Sequence, residues 1–359
     1  MSGMWGNNFR LSIFGESHGE AIGITIDGIP SGFEIDIDNI KQEMERRAPG
    51  RNLISTQRKE GDVFEILSGM FNGKATGTPL CSIIRNKDKK SRDYSKMENI
   101  MRPGHADYPG VLRYRGFNDY RGGGHFSGRI TAPLVFSGAI AKQILKERGI
   151  KVLSHIKSIA HIEDENIDYC NPPVEILESL KLKDMAVIND EIKEEMKSCI
   201  LNAKKNKDSV GGVIECIITG IPGGVGNPFF DSLESTIAHL AFSVPAVKGI
   251  EFGCGFEITK LKGSESNDEY YYENQEVKTY SNNNGGVTGG ISNGMPVVFR
   301  VAIKPTASIL KPQRTIDISK KENTEIEVEG RHDPCIVQRA VPVIEAIAAI
   351  AITDLMELK

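Results

Sequence analysis

Two short runs of alternating apolar residues enclose the segment GESHG, residues 15–19, and this arrangement constrains the fold more than any other feature of the chain. Within residues 9–13, Phe, Leu and Ile occupy every second position, and within residues 22–26 every second position is Ile. A period of two is typical of half-buried β-strands. GESHG is therefore predicted to form a turn between two strands.

Further helices and strands are expected along the chain. The predicted helices are 36–47 (with a cap at Asp36 or Asp38), 129–148, 190–207, and a long apolar helix from Pro342 onward with the proline in its first turn. The predicted strands are 212–219 and 296–303, which are rich in β-branched residues. Because strands occur in runs as well as alternating with helices, a mixed α+β fold is favoured over a doubly wound sheet.

Charge and composition exclude several classes of protein. The 44 basic and 48 acidic side chains give a net charge of −4, which argues against a general nucleic-acid binder. No apolar run approaches the roughly 18 residues of a membrane span, and no signal peptide is apparent. The six cysteines are scattered without a C-x-x-C pair, and the seven histidines have no metal-ligand spacing with them. We therefore expect a cytoplasmic protein with reduced thiols and no metal site.

GESHG also fits G-x-S-x-G, the nucleophile elbow of the α/β-hydrolases. An elbow requires a helix after the serine, whereas the residues that follow Ser17 alternate like a strand. The pattern thus disfavours a serine hydrolase. We keep that function as an alternative to be tested. His18 has two interpretations: a lone histidine is usually structural, but one in a glycine-flanked turn beside an anion can donate a proton to a leaving group.

Other clusters combine glycines with cationic or hydroxyl side chains. They are MERRAPGRNLISTQRKEGD (44–62), RPGHAD (102–107), YRGGGHFSGRITA (120–132), KPTAS (304–308) and GRHDPCIVQRAVP (330–342). Backbone N–H groups of such loops can face an anion, and arginine and serine side chains bond phosphate oxygens. Simpler interpretations exist, since the arginine-rich stretch can be a solvated face and Asp333 can begin the helix that follows. Together the clusters predict a site for an anionic substrate or a phosphate-bearing cofactor.

The chain resembles the chorismate synthase family over residues 7–355. The motifs that carry the resemblance occur in the family's order: GESHG, RPGHAD, YRGGGHFSGR, DSVGGVIE, FSVPAVKGIEFG, NNNGGVTGGISNG, KPTAS and GRHDPCIVQRAVP. The resemblance implies one domain, residues 1–359, with an α+β fold: a single-domain β-α-β sandwich in which a helical core lies between antiparallel sheets. It also implies a homotetramer. The implied reaction is the 1,4-anti elimination of phosphate from 5-enolpyruvylshikimate-3-phosphate to give chorismate, with reduced FMN as cofactor.

The resemblance also implies roles for individual residues. His18 resembles the general acid near the departing phosphate, and His105 resembles the histidine that protonates or stabilises the reduced flavin near N1. Asp333 resembles the acid that works with flavin N5 in removing the substrate proton. The positions that match substrate contacts are Ser17, Arg47, Arg51, Arg102, Ser127 and Arg129. The positions that match FMN contacts are Arg47, His125, Phe126, Ser127, Pro245, Ala246, Gly289, Lys304, Pro305, Thr306, Ala307, Ser308 and Arg331.

The chain departs from the family pattern at three places. The family's GGG-R-S-S reads GGG-His125-Phe126-Ser127 here, its PG-T-S-R loop reads PG-Arg51-Asn-Leu, and its KPTSS has become KPTAS. These changes remove a fixed positive charge and two hydroxyl groups from the expected flavin contacts. Arg51 is predicted to replace the arginine that the basic loop lacks.

Two alternatives concern the flavin. In a monofunctional enzyme an external reductant supplies reduced FMN, whereas a bifunctional enzyme also reduces FMN with NADPH. The chain shows no added nucleotide domain, which favours the monofunctional form. A further alternative is a non-catalytic protein that descends from the enzyme and binds a flavin or an anion. The intact His18, His105 and Asp333 argue against it.

Overall fold

The computed structural model describes residues 3–50, 61–86, 98–328 and 332–356. In chain order the strands are β1 (Met4–Trp5), β2 (Arg10–Gly15), β3 (Ala21–Asp27), β4 (Phe64–Ser68), β5 (Met70–Phe71), β6 (Lys74–Ala75), β7 (Leu80–Arg85), β8 (Lys151–Ile159), β9 (Ile162–Glu163), β10 (Gly212–Thr219), β11 (Val247–Phe252), β12 (Tyr270–Glu273), β13 (Glu276–Thr279), β14 (Val287–Thr288), β15 (Ile291–Ser292), β16 (Val297–Ile303), β17 (Gln313–Asp317) and β18 (Glu322–Ile326). The helices are α1 (Ile37–Arg47), α2 (Asp107–Tyr114), α3 (Thr131–Glu147), α4 (Val174–Ser179), α5 (Asp190–Lys205), α6 (Leu233–Ser243), α7 (Gly263–Ser266) and α8 (Val337–Leu355).

Within these residues the strands form two antiparallel five-stranded sheets and four short two-stranded hairpins. The first sheet has the order β1-β2-β3-β7-β4, and the second has the order β11-β16-β10-β8-β9. In the first sheet β2 and β3 are neighbours, with Arg10 opposite Asp27 and Gly15 opposite Ile22. The turn between them therefore emerges at the end of the sheet that Gly15 occupies.

A layer of helices lies between the two sheets. α3 packs against α1 and α8 and against β3 and β7 of the first sheet, while α8 packs against β8 and β10 of the second. α3 and α8 approach so closely at Gly138 that a Cβ added there would lie 2.3 Å from the Cβ of Ala346. One hydrophobic cluster includes these helices and both sheets, for example Ile24 and Ile217. The predicted α+β sandwich, with helices between antiparallel sheets, is confirmed.

Most of the predicted elements are present. The alternating segments form β2 and β3, 212–219 is β10, and 296–303 is β16 from its second residue. Asp36 caps α1, because its Oδ1 accepts from the N–H of Asn39 at 2.9 Å. α5 ends two residues before the predicted limit and buries Met196, Ile200 and Ala203 on its inner face.

The predicted start of the last helix is wrong. α8 begins at Val337, so Pro342 lies inside the helix and not in its first turn. Proline has no N–H to donate to the carbonyl four residues earlier, which usually ends or kinks a helix. Here Val337, Ala340 and Val341 are buried in the core. Their packing compensates for the missing hydrogen bond and extends the helix toward its N-terminus.

A cluster of charged side chains lies inside the helical layer. Glu345 of α8 is fully buried and accepts from Arg46 Nη1 at 2.6 Å, from Arg46 Nη2 at 2.8 Å and from Lys142 Nζ. Glu43 accepts from the same two cations, at 2.7 and 3.0 Å. Burial alone would raise the pKa of Glu345, but Arg46 and Lys142 hold it well below its ordinary value of 4.5. Ion pairs thus join α1, α3 and α8.

Candidate active site

A cavity of about 880 Å³ opens beside the turn between β2 and β3. Its volume is near the upper end of the usual range for ligand sites, about 300–1,000 Å³. The walls come from Ser17 and from parts of the segments 102–107, 122–131, 239–248, 304–308 and 332–343. The clusters that predicted an anion site therefore meet at one cavity.

The serine of the GESHG turn lines the cavity, whereas its histidine does not. Ser17 lines the cavity, and its N–H donates to the carbonyl of Gly124 at 3.1 Å. His18 is buried, with its ring against Gly122, where an added Cβ would lie 2.3 Å from the His18 Cδ2. His18 is therefore not among the described residues that line the cavity, but it contacts Gly122, which does.

The nucleophile-elbow interpretation of Ser17 is wrong. Gly15 ends β2, and the turn leads into β3 at Ala21, as the apolar alternation predicts. An elbow requires a helix directly after the nucleophile, to expose it above the sheet. The prediction of a turn between two strands is confirmed.

A buried carboxylate joins two of the predicted arginines. Asp62 Oδ2 accepts from Arg47 Nε at 3.3 Å, and Asp62 Oδ1 accepts from Arg129 Nη1 at 2.6 Å. Arg47 is the last residue of α1, and Arg129 lies in a 3₁₀ turn that precedes α3. Asp62 therefore holds together two cations that come from different elements.

Asn86, the residue after β7, connects Arg129 to the GESHG turn. Its Oδ1 accepts from Arg129 Nε at 2.7 Å, and its Nδ2 donates to the carbonyls of Glu16 and Gly19, both at 3.0 Å. One amide side chain thus fixes a cavity arginine and the two ends of the turn that contains the predicted general acid.

Arg102 is fixed by a bidentate ion pair. Its Nε and Nη2 donate to the two carboxylate oxygens of Asp107 at 2.7 and 2.8 Å, and both side chains are buried. The backbone N–H of Arg102 donates to the same carboxylate at 3.1 Å. Bidentate arginine–carboxylate pairs restrict the orientation of the guanidinium. Arg102 therefore presents a positioned positive charge to the cavity.

His105 lines the cavity as a neutral imidazole. Its Nε2 lies 2.8 Å from Ser308 Oγ, and Lys304 Nζ donates to the carbonyl of the neighbouring Gly104 at 2.6 Å. Burial lowers the pKa of His105 to about 4, and the cations Arg102 and Lys304 lower it as well. The predicted flavin-facing histidine is therefore uncharged at neutral pH.

The low pKa of His105 predicts a pH dependence of stability. Between pH 6.5 and about 4 an unfolded chain protonates this histidine, whereas the folded protein does not. The unfolded state then binds more protons, so the free energy of unfolding should fall as pH falls, by at most about 1.4 kcal/mol per pH unit from this one group. Denaturant unfolding across this range should show a smaller slope for His105→Gln. His161→Gln, at an exposed histidine, is the control; an unchanged slope for His105→Gln would contradict the prediction.

Asp333 is held by a cation from α8. Arg339 Nη1 donates to Asp333 Oδ2, and Arg339 Nε donates to the carbonyl of Arg47 at 3.1 Å. The interpretation of Asp333 as the residue that begins the helix is wrong, because α8 begins without a side-chain cap at Ile336. Arg339 instead connects the predicted catalytic acid to the end of α1.

Most of the residues predicted to contact FMN line the same cavity. They are Arg47, His125, Phe126, Ser127, Pro245, Ala246 and Lys304 to Ser308. His125 Nδ1 lies 2.8 Å from the carbonyl of Gly15, and Phe126 packs against Tyr114 with ring centroids 6.0 Å apart. His125 thus bonds to the turn at the place where the family pattern has an arginine.

Besides His18, three predicted residues are not among the described residues that line the cavity. Gly289 lies in the turn of the β14–β15 hairpin and is not among the described residues that line the cavity. Arg51 and Arg331 lie outside the described residues, so the replacement of the missing arginine by Arg51 stays a prediction.

Sequence reasoning missed the residues that hold the arginines and the acid in place. They are Asp62, Asn86, Asp107 and Arg339. Weak signals existed for Asp62, Asp107 and Arg339, which belong to MERRAPGRNLISTQRKEGD, RPGHAD and GRHDPCIVQRAVP. Asn86 follows a strand, and nothing local distinguishes it from a surface residue.

In the described ranges, no group of three or more His, Cys, Asp or Glu side chains is arranged to hold a metal ion. None of the helices in those ranges has the length and hydrophobicity to span a membrane. Fold and cavity together define an α+β sandwich protein with a large cavity, whose lining includes the cationic side chains of Arg47, Arg102, Arg129 and Lys304.

Comparison with known proteins is consistent with this class. The model of the chorismate synthase family matches residues 9–356. This chain belongs to the chorismate synthase family. It is 47% identical to a chorismate synthase of Methanocaldococcus jannaschii, over 98% of this chain and 95% of the relative. It is 43% identical to one of Dehalococcoides mccartyi, over 99% and 96%. A crystal structure of a chorismate synthase superimposes with a TM-score of 0.78 at 30% identity, covering 98% of this chain and 92% of the other.

Proposed function

We propose that this chain converts 5-enolpyruvylshikimate-3-phosphate to chorismate and phosphate by a 1,4-anti elimination that uses reduced FMN. The observation that carries the proposal is the convergence of Arg47, Arg102 and Arg129 on one cavity in a member of the chorismate synthase family. The substrate carries a phosphate and carboxylates, and charge-assisted hydrogen bonds from guanidinium groups are suited to both.

The arginines would bind the substrate and stabilise the departing phosphate. Arg102 is oriented by Asp107, and Arg47 and Arg129 are oriented by Asp62. Donors fixed before the reaction lose little free energy to reorganisation as charge develops on the leaving group. Ser17 and Ser127 line the same cavity and supply hydroxyl groups.

His18 would donate a proton to the departing phosphate. Its ring lies against Gly122, and both Gly122 and the neighbouring Ser17 line the cavity in which the anion would bind. Asp333, oriented by Arg339, would receive the proton that leaves the substrate carbon. The two proton transfers are thus assigned to groups on separate segments of the cavity wall.

The lining fits a flavin with a phosphate group. Lys304 and the hydroxyl groups of Thr306 and Ser308 are suited to phosphate, and the apolar wall includes Leu240 and Val343. His125, Phe126, Pro245 and Ala246 complete the residues that would hold it. When bound, reduced FMN lends electron density transiently to the substrate, without net redox change. Neutral His105 would share or accept a proton beside the bound cofactor.

Gly122→Ala should impair the reaction through His18. Gly122 has a φ of +61°, and its added Cβ would lie 2.6 Å from the His18 Nε2. We expect kcat to fall by about 10-fold or more, because a small displacement of a general acid weakens proton transfer. Gly123→Ala is the matched control, since its φ is +85° but its Cβ would meet nothing closer than 3.9 Å. Equal kcat values for the two variants would contradict the role of His18.

The proposed reaction is tested by anaerobic assay. Purified protein is mixed with 5-enolpyruvylshikimate-3-phosphate and dithionite-reduced FMN, and phosphate and chorismate are measured. We expect both products in equal amounts and none without reduced flavin. No phosphate release from folded protein under these conditions would overturn the proposal and favour a non-catalytic anion-binding protein.

We further propose the monofunctional form, in which an external reductant supplies reduced FMN. Its support is that the family match and the relatives' length leave no extra nucleotide domain in residues 9–356. Aerobic turnover with NADPH and FMN alone would contradict this proposal and favour the bifunctional alternative.

Three properties that the family resemblance implies are proposed with it. Residues 1–359 form a single domain, the protein acts in the cytoplasm, and it assembles as a homotetramer. Sedimentation equilibrium tests the last of these directly, because a tetramer has four times the mass of the 39.4 kDa chain.

A further inference from the structure

Asp62 combines deep burial with contacts to two cavity arginines. Its side chain is 0% exposed, against 3% for Arg47 and 9% for Arg129. We propose that Asp62 is a positioning residue that joins Arg47 and Arg129 into a single receptor for the anionic groups of the substrate. The inference rests on the proposed function and adds a residue to which the family resemblance assigns no role.

The charges explain why such a residue is needed. Two guanidinium groups that are buried side by side repel each other, and burial weakens the screening that water provides. One carboxylate between them offsets this repulsion and leaves the trio of Asp62, Arg47 and Arg129 with a net charge of +1 (two cations minus one anion). The carboxylate therefore holds the two cations at fixed positions beside the cavity.

The contacts also explain why the carboxylate orients the arginines. Asp62 Oδ2 bonds Arg47 at Nε, and Oδ1 bonds Arg129 at a single terminal nitrogen, Nη1. Asn86 Oδ1 accepts a hydrogen bond from Arg129 Nε, so the Arg129 side chain is fixed at two points. Since Arg47 ends α1 and Arg129 precedes α3, the carboxylate sets the distance between two groups that the backbone does not connect locally.

The backbone at Asp62 makes one substitution suitable as a test. Its φ is +43°, in the left-handed region, where asparagine and aspartate are more frequent than other non-glycine residues. Asp62→Asn introduces a residue that also tolerates this backbone conformation and has nearly the same side-chain volume, and it removes the negative charge. The variant therefore changes the electrostatics of the trio with little change in backbone strain.

The experiment measures binding separately from catalysis. Isothermal titration of 5-enolpyruvylshikimate-3-phosphate into wild type and Asp62→Asn gives Kd, and the anaerobic assay gives KM and kcat. We expect Kd and KM to rise by about 10- to 100-fold, the effect of disrupting one buried charge pair, while kcat at saturation changes less than about 3-fold. A merely structural role would lower the melting temperature without this split between KM and kcat.

Two controls separate positioning from stability. Glu65→Gln removes a carboxylate three positions away, whose pair with Arg85 is exposed, and should leave Kd unchanged. Asp354→Asn removes a buried carboxylate that accepts from three backbone N–H groups at residues 7–9. It should lower the melting temperature without changing Kd. If Asp62→Asn does not fold, Asp62→Glu is used, because its displaced carboxylate should still raise Kd.

The outcomes distinguish the two proposals. If wild type neither binds the substrate nor releases phosphate, the proposed function is wrong. If wild type binds it and folded Asp62→Asn binds it within about 2-fold of wild type, the positioning role of Asp62 is overturned while the function stands.

Discussion

His18→Ala is expected to lower kcat for phosphate release by about 10- to 1000-fold, within or slightly below the usual contribution of general acid–base catalysis. Loss of the imidazole removes the proton donor proposed for the departing phosphate. KM should change much less, because the arginines that bind the anion are held by Asp62, Asn86 and Asp107 and not by His18. Steady-state kinetics with reduced FMN under anaerobic conditions measures both parameters.

Substitution of the neighbouring Ser17 is expected to affect a different kinetic parameter from substitution of His18. Ser17→Ala should mainly raise KM, since Ser17 lines the cavity as a substrate contact. His161→Ala, at an exposed position, should leave both parameters unchanged. A serine-directed phosphonate should not inactivate the enzyme. Near-wild-type kcat in both His18→Ala and His105→Ala would remove the roles assigned to the two histidines.

Glu345→Gln is expected to lower the free energy of unfolding by about 3–5 kcal/mol, the usual cost of removing one partner from a buried ion pair. The change leaves Arg46 and Lys142 in the helical layer with Glu43 as their remaining acidic contact. Because the pKa of Glu345 is lowered in the folded state, its contribution is present above the ordinary value of 4.5 and is lost as pH falls below it. Urea unfolding at neutral and acidic pH measures both effects.

An exposed ion pair provides the control for that measurement. Glu257 pairs with Lys260 at 2.7 Å, but both side chains are 69% exposed. Glu257→Gln should therefore change the free energy of unfolding by less than about 1 kcal/mol. If Glu345→Gln is no more destabilising than Glu257→Gln, the buried cluster does not stabilise the fold as proposed.

Local patterns predicted the elements whose residues alternate or repeat regularly. β2, β3, β10 and α1 follow from periodicity and from one capping aspartate, because those signals act over a few residues. The start of α8 did not follow, since the burial of Val337 and Val341 outweighs the local preference of Pro342 for a first turn. The packing that decides this boundary comes from segments that are distant in sequence, which no local pattern describes.

The candidate site was predicted unevenly for the same reason. Ser17, Arg102, His105 and the residues of KPTAS belong to motifs and do line the cavity. The residues that orient them act across long separations in sequence, as when Arg339 bonds the carbonyl of Arg47. The low pKa of His105 likewise depends on burial and on cations from other segments. Such properties arise only when distant segments meet.

The position of α8 in the chain has a consequence for how the protein is made. This helix lies between the sheets and also supplies Arg339 to the cavity, yet every strand of both sheets precedes it in sequence. On the ribosome, all the described strands are therefore synthesised before the helix that fills the space between them. Until α8 emerges, the inner face of the second sheet lacks the helix that packs against β8 and β10. Apolar surface that is exposed in this way makes an incomplete chain prone to aggregation.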